Sequence, residues 1–175
     1  MNITKELTQE HQNILQVIDL VLEECNRLEA GNDINNKFFA KVVGFIKNYA
    51  DGYHHAKEEN ILFKAMLNNA EDMHCNPIPV MLHEHDAGRN FVAEIVLALT
   101  NSDKALLVKN ARGYCYLLQN HIGKEDNILY PMAEDAVSAN QKQEVINLYN
   151  AVNLKKYFPQ DINEFIEELA NVTAS

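Results

Sequence analysis

Tryptophan is absent from this 175-residue chain, and proline (four), glycine (six) and cysteine (three) are scarce. So few turn-forming residues, beside a hydrophobic fraction of 47%, exclude a disordered chain and leave room for long unbroken elements. Cys25, Cys75 and Cys115 are far apart and form no C-x-x-C pair, which argues against a disulfide framework and for free thiols in a reducing cytosol. Positive charge is also short: 15 Lys and Arg against 25 Asp and Glu give a formal charge of -10. Nucleic acid and anionic membranes need a basic footprint, so neither is an expected partner. No run approaches the roughly 18 apolar residues of a membrane span. The start, Met1-Asn2-Ile3-Thr4-Lys5-Glu6, has no signal-peptide core, and the expected location is cytoplasmic.

What remains is helical periodicity, with almost no strand-like alternation. The pattern predicts helix one from about Thr4 to Leu28, stopped near Gly31. Helix two follows from about Ile34 to Leu67, with Asp33 as its N-cap. Helix three starts at Pro77–Pro79 and ends near Thr100. Helix four begins after a cap at Ser102 and reaches Tyr130, where Pro131 kinks or ends it. A shorter helix starts at Ser138 with Gln141 completing a capping box, and a last one covers about Gln160 to Asn171. Short connections make sequential helices antiparallel. The expected fold is all-α: an antiparallel up-down four-helix bundle with short additional C-terminal helices. One domain spans residues 1–175, with a core of about 3–135 and an appendage of about 138–172.

Two segments of this chain nearly repeat each other. His54-His55-Ala56-Lys57-Glu58-Glu59-Asn60-Ile61-Leu62-Phe63 aligns without a gap on His121-Ile122-Gly123-Lys124-Glu125-Asp126-Asn127-Ile128-Leu129-Tyr130, and six of the ten pairs are identical. His and Glu four apart share a helix face. Taking roughly 100° per residue, His11, His85 and His121 each lie at the centre of an apolar stripe. Around His85 the stripe includes Met81, Leu82, Val92 and Val96, with His83 opposite; around His121 it includes Tyr114, Leu118, Glu125 and Ile128. In helix two either His54–Glu58 or His55–Glu59 has the required spacing. Periodicity does not separate them, but the repeat pairs His54 with His121 and Glu58 with Glu125. We therefore select His54 and Glu58, with His55 and Glu59 as the second choice.

The candidate donors are then His11, His54, Glu58, His85, His121 and Glu125. Carboxylates buried among apolar side chains need a partner, and a cation is the obvious one. Imidazole and carboxylate without thiolate suit iron, manganese or zinc. Six donors exceed the needs of one tetrahedral zinc and suit two ions bridged by Glu58 and Glu125.

On Glu10-His11, the His54…Leu62 segment, Met81-Leu82-His83-Glu84-His85-Asp86-Ala87-Gly88-Arg89 and His121…Pro131, the chain resembles the hemerythrin-like, HHE cation-binding family over residues 3–135. The resemblance implies a four-helix bundle around a non-haem di-iron centre with those six residues as ligands. Oxygen-carrying hemerythrins place a second histidine one turn from the first on helix three. Here Met81 and Arg89 flank His85, so the expected centre is more symmetric and poorer in nitrogen. The expected function is a di-iron protein that binds or senses a small ligand such as oxygen, peroxide or nitric oxide. The alternatives are an enzyme for peroxide removal or oxidase chemistry at the same centre, with no catalytic residue assigned, and a metal-storage or interaction bundle whose C-terminal helices meet a protein partner.

Overall fold

The computed structural model describes residues 1–173 and contains helices joined by short turns, with no strand among the described residues. Helix α1 is Lys5–Glu29, and Gly31 after it takes a φ of +103°, a conformation that L side chains rarely adopt. Helix α2 is a continuous run over residues 36–67 with two widened turns in it. It begins as Asn36–Phe45, passes through a π-helical stretch Ile46–His55 and a second, Glu58–Leu62, and closes as Phe63–Leu67. Its N-cap is Asn35, which accepts the Phe38 N–H at 3.0 Å, rather than Asp33. Helix α3 is Ile78–Thr100, with Pro79 in its first turn.

Helix α4 runs over residues 104–136, as Lys104–Lys124, a π-helical turn Glu125–Leu129 and a closing Tyr130–Ala136. Asp103 caps it by accepting the Leu106 N–H, while Ser102 sits in the left-handed region at φ 52°. Pro131 therefore neither ends the helix nor marks its boundary. Proline clashes with the carbonyl four residues back, here Asn127, and the widened turn around that residue gives the ring room. The turn is not made by the proline, because Glu58–Leu62, its counterpart in the repeat, is also π-helical and is followed by Lys64 in place of Pro131. Helix α5 (Ala139–Ala151) starts on the expected Ser138–Gln141 capping box. A short α6 (Leu154–Tyr157) was not expected, and α7 (Ile162–Thr173) is entered at Asp161, which accepts from Asn163 and Glu164 N–H.

Two apolar clusters fill the bundle. The larger gathers Ile14, Ile18, Phe38, Val42, Tyr49, Val92, Leu107 and Leu118. The smaller gathers Leu7, Leu62, Met66, Met81, Leu129 and Ala133. Helices α1 and α3 pass from the smaller cluster to the larger, and α2 and α4 pass back, so neighbouring helices alternate in direction. The appended helices cover both ends. Tyr149 of α5 joins the smaller cluster, while Phe165 of α7 stacks on Phe45 at 5.4 Å beside the larger one.

Candidate metal centre

Between the two clusters lies a polar layer, and the reason is visible along each helix. Leu7 and Ile14 bracket His11, Met81 and Val92 bracket His85, and Leu118 and Leu129 bracket His121 and Glu125; all are buried. His11, His54, Glu58, His85, His121 and Glu125 are each 0–2% exposed. The structure brings all six of these sequence-predicted residues into this layer. It also brings in His55, at 5% exposure, alongside His54 rather than instead of it. The physical cause is the π-helical stretch ending at His55. Its wider turns hold more residues, so two consecutive side chains enter the interior where an α-helix would direct them roughly 100° apart. Gly52 helps make that stretch possible: a Cβ there would lie 2.9 Å from the Lys47 carbonyl oxygen. The same widening at Glu125–Leu129 moves Leu129 inward and leaves Ile128 54% exposed, contrary to the α-helical reading. Leu82 and Val96 are exposed as well, so the stripe around His85 is narrower than the sequence pattern suggests.

Each interior histidine is held through Nδ1 by a carboxylate. His11 faces Asp126 at 2.8 Å, His54 faces Glu10 at 2.9 Å, His85 faces Glu59 at 2.7 Å, and His121 faces Glu84 at 2.8 Å. His55 faces Asp51 at 3.4 Å. These acids are held in turn. Lys57 binds Glu10 and Glu6, Lys124 binds Glu84, and Arg89 binds Asp51, Asp86 and Glu59. The four symmetric pairs follow the repeat: Lys57 and Glu59 in α2 correspond to Lys124 and Asp126 in α4, and Glu10-His11 in α1 corresponds to Glu84-His85 in α3. Of these outer acids sequence reasoning weighed only Glu59, and that as a donor to the centre rather than as a support of His85. Their signal was present, since Lys-Glu-acid is part of the repeated skeleton.

A neutral imidazole that donates Nδ1–H outward turns an Nε2 lone pair to the centre, where a cation can take it. The His85 and His121 Nε2 atoms face each other at 3.0 Å. Glu125 spans the layer, with Oε2 at 3.2 Å from His11 Nε2 and Oε1 at 3.0 Å from His121 Nε2. Glu58 Oε2 is 3.7 Å from His54 Nε2 and 3.5 Å from His85 Nε2. Glu58 Oε2 and His55 Nε2 have no hydrogen-bond partner among the described residues, and the Glu125 oxygens have only the His11 and His121 Nε2 atoms. The hydroxyl that does donate here is Tyr130, to Glu58 Oε1 at 2.7 Å. Facing lone pairs and orphaned buried carboxylate oxygens are costly on their own and fit cations between them.

Electrostatics describe the same pressure in the metal-free protein. Burial, then the nearby Glu125, pushes the Glu58 carboxyl well above the usual carboxylate range. Glu125 is held well below that range: burial acts to raise it, but bonds from His11 and His121 prevail. Burial lowers His11, yet Asp126 and Glu125 outweigh it and hold the ring at about 9. Burial and the neighbouring His85 bring His55 down to about 3.

Donor atoms fall into two groups, each within 4.8 Å of one another: His11, His54, Glu58 and Glu125, and then His55, Glu58, His85 and His121. Glu58 belongs to both. Beside the second group a cavity of about 190 Å³ reaches the surface, lined by His55, His85, Ile46, Val92 and Tyr114, with Asp51 and Arg89 among its other lining residues. His74 and His83 are exposed, far in character from this layer, and Cys25 and Cys115 are buried while Cys75 is exposed.

The helical bundle encloses a histidine and carboxylate cluster that could hold metal ions. The hemerythrin HHE cation-binding domain matches residues 2–133, and the chain belongs to that family. No curated protein and no solved structure matches it. No helix among the described residues is long and apolar enough to cross a membrane.

Proposed function

We propose that the chain is a cytoplasmic non-haem di-iron protein that binds or senses a small ligand such as oxygen, peroxide or nitric oxide. The observation that carries this reading is the pair of donor groups sharing Glu58, with Glu125 reaching from His11 to His121. One ion cannot use so many donors on both sides of a carboxylate pair, whereas two bridged ions can. Imidazole with carboxylate and no thiolate favours iron over magnesium, calcium or an iron–sulfur cluster. When bound, such a pair supplies redox electrons and open positions for a small molecule.

The chain's own residues do the rest. The outer carboxylates fix each imidazole, Lys57 and Lys124 hold two of those acids in place, and Tyr130 orients Glu58. Ile46, Val92 and Ala93 keep the adjacent cavity apolar, which suits small uncharged ligands. Helices α5 and α7 bury their apolar faces on the bundle itself, which weakens the view of them as a docking arm for a partner. Metal analysis with visible spectroscopy before and after reduction and air exposure tests the reading. Two iron equivalents per chain after iron-replete growth are expected. About one equivalent, or zinc alone, would refute it.

A further inference from the structure

We propose that His55 is a fifth nitrogen donor, so that the two ions are unequal: His55, His85 and His121 serve one, and His11 and His54 the other. The proposal rests on the two-ion reading and adds a ligand to it.

Five interior histidines each meet a carboxylate through Nδ1, and His55 is one of them, its acid coming from its own helix. Its Nδ1 faces a carboxylate, Asp51, which Arg89 also grips. Its Nε2 is buried and has no hydrogen-bond partner among the described residues. A ring kept only for packing would turn that atom toward a donor or toward water. The donor atoms grouped with the ring of His55 are those of Glu58, His85 and His121, which lie within 4.8 Å of one another and could hold an ion together. The His55 and His85 rings stack at 3.9 Å between centroids with only 12° between planes, and one donor atom of each lies within 4.8 Å of the other. The π-helical stretch Ile46–His55 is what places two adjacent histidines on the same layer. Such a departure from α-helical winding is frequent at functional sites.

The internal repeat makes the inequality specific. The partner of His55 is Ile122, buried at 3% and unable to coordinate. The partner of Tyr130 is Phe63. So one ion position gains an imidazole, while the other has the Tyr130 hydroxyl beside it, 3.1 Å from His11 Nε2.

The test compares full-length wild type with His55→Gln and His55→Gly, each loaded with ferrous iron and examined by metal analysis, chelator competition and Mössbauer spectroscopy. Wild type should show two iron sites with distinct quadrupole doublets of equal area. His55→Gln should hold one of its two irons at least about tenfold more weakly, the scale on which partners of metal-binding histidines act, and should shift one doublet while leaving the other. The cavity beside His55 opens to the surface, so added imidazole should restore the second iron to His55→Gly. That rescue also decides the matter if His55→Gln folds poorly. Both irons retained in His55→Gln with unchanged affinity and spectrum would overturn the proposal and leave the di-iron reading intact. A wild type that takes up fewer than two irons would overturn the di-iron reading, and this proposal with it.

Discussion

Replacing each central carboxylate by its amide separates two roles that look alike in the sequence. In the metal-free protein Glu58 ionises far less readily than an ordinary carboxyl, because it is fully buried and lies close to Glu125. The unfolded chain ionises it near 4.5, so above that pH the folded state holds more protons than the unfolded one. Stability then falls as pH rises through the window between the two values, at about 1.4 kcal/mol per pH unit. Glu58→Gln removes this penalty and can still accept from Tyr130. Relieving an unfavourably buried polar group is worth about 1–3 kcal/mol. At about 2–4 °C per kcal/mol for a chain of this size, the metal-free variant should melt roughly 2–12 °C above metal-free wild type at neutral pH.

Glu125 has the opposite sign. Its folded value is depressed, so its contribution is present above 4.5 and lost as pH falls toward the folded value. Its partner His11 is raised to about 9, so that ring's contribution is full below 6.5 and fades as pH rises through about 9. Glu125→Gln should therefore lower the neutral melting temperature of the metal-free protein. Both variants should lose tight iron binding. Circular dichroism melts between pH 4.5 and 8 check this: the gain from Glu58→Gln should be largest at pH 7–8 and vanish near pH 4.5. A gain that does not depend on pH, or two variants shifting in the same direction, would refute the reasoning.

Two further substitutions probe the supports of the centre. Lys57→Ala leaves Glu10 buried without its ammonium partner and should cost about 3 kcal/mol by chemical denaturation, the low end for breaking a buried pair, together with weaker iron binding through His54. Gly52→Ala drives a methyl against the Lys47 carbonyl and should cost about 1–3 kcal/mol; because it disturbs the stretch that carries both histidines, chelator competition should show iron loss beyond what the melt predicts. Retention of wild-type affinity in Gly52→Ala would mean that the widened turns do not position the donors.

The helices, their order and the inward faces of His11, His85 and His121 were legible because apolar spacing and turn residues act locally. The repeat made His54 and Glu58 legible for the same reason, since two copies of a short pattern must meet similar surroundings. What periodicity could not express was a change of winding. An α-helical angle assigned Ile128 to the interior and set His54 against His55 as rivals, whereas the π-helical turns expose the first and admit both of the second. The caps moved by small steps, from Asp33 to Asn35 and from Ser102 to Asp103, because each pair offers similar side chains and only backbone geometry chooses. The supporting role of the outer acids was missed because each reaches its histidine from another helix or another turn, a relation that no single stripe contains.

The sequence of the α1–α2 hairpin is echoed in the α3–α4 hairpin: Glu10-His11 by Glu84-His85, and residues 54–63 by 121–130. Two separate copies of such a hairpin, meeting about a true axis, would be obliged to present identical surroundings to both halves of the centre, and any substitution would appear twice. A single chain carrying both hairpins is released from that obligation. Histidine can stand at position 55 while isoleucine stands at 122, and a hydroxyl can be kept at 130 while 63 remains bare phenyl. Covalent linkage of the halves is thus what permits the centre to have a front and a back.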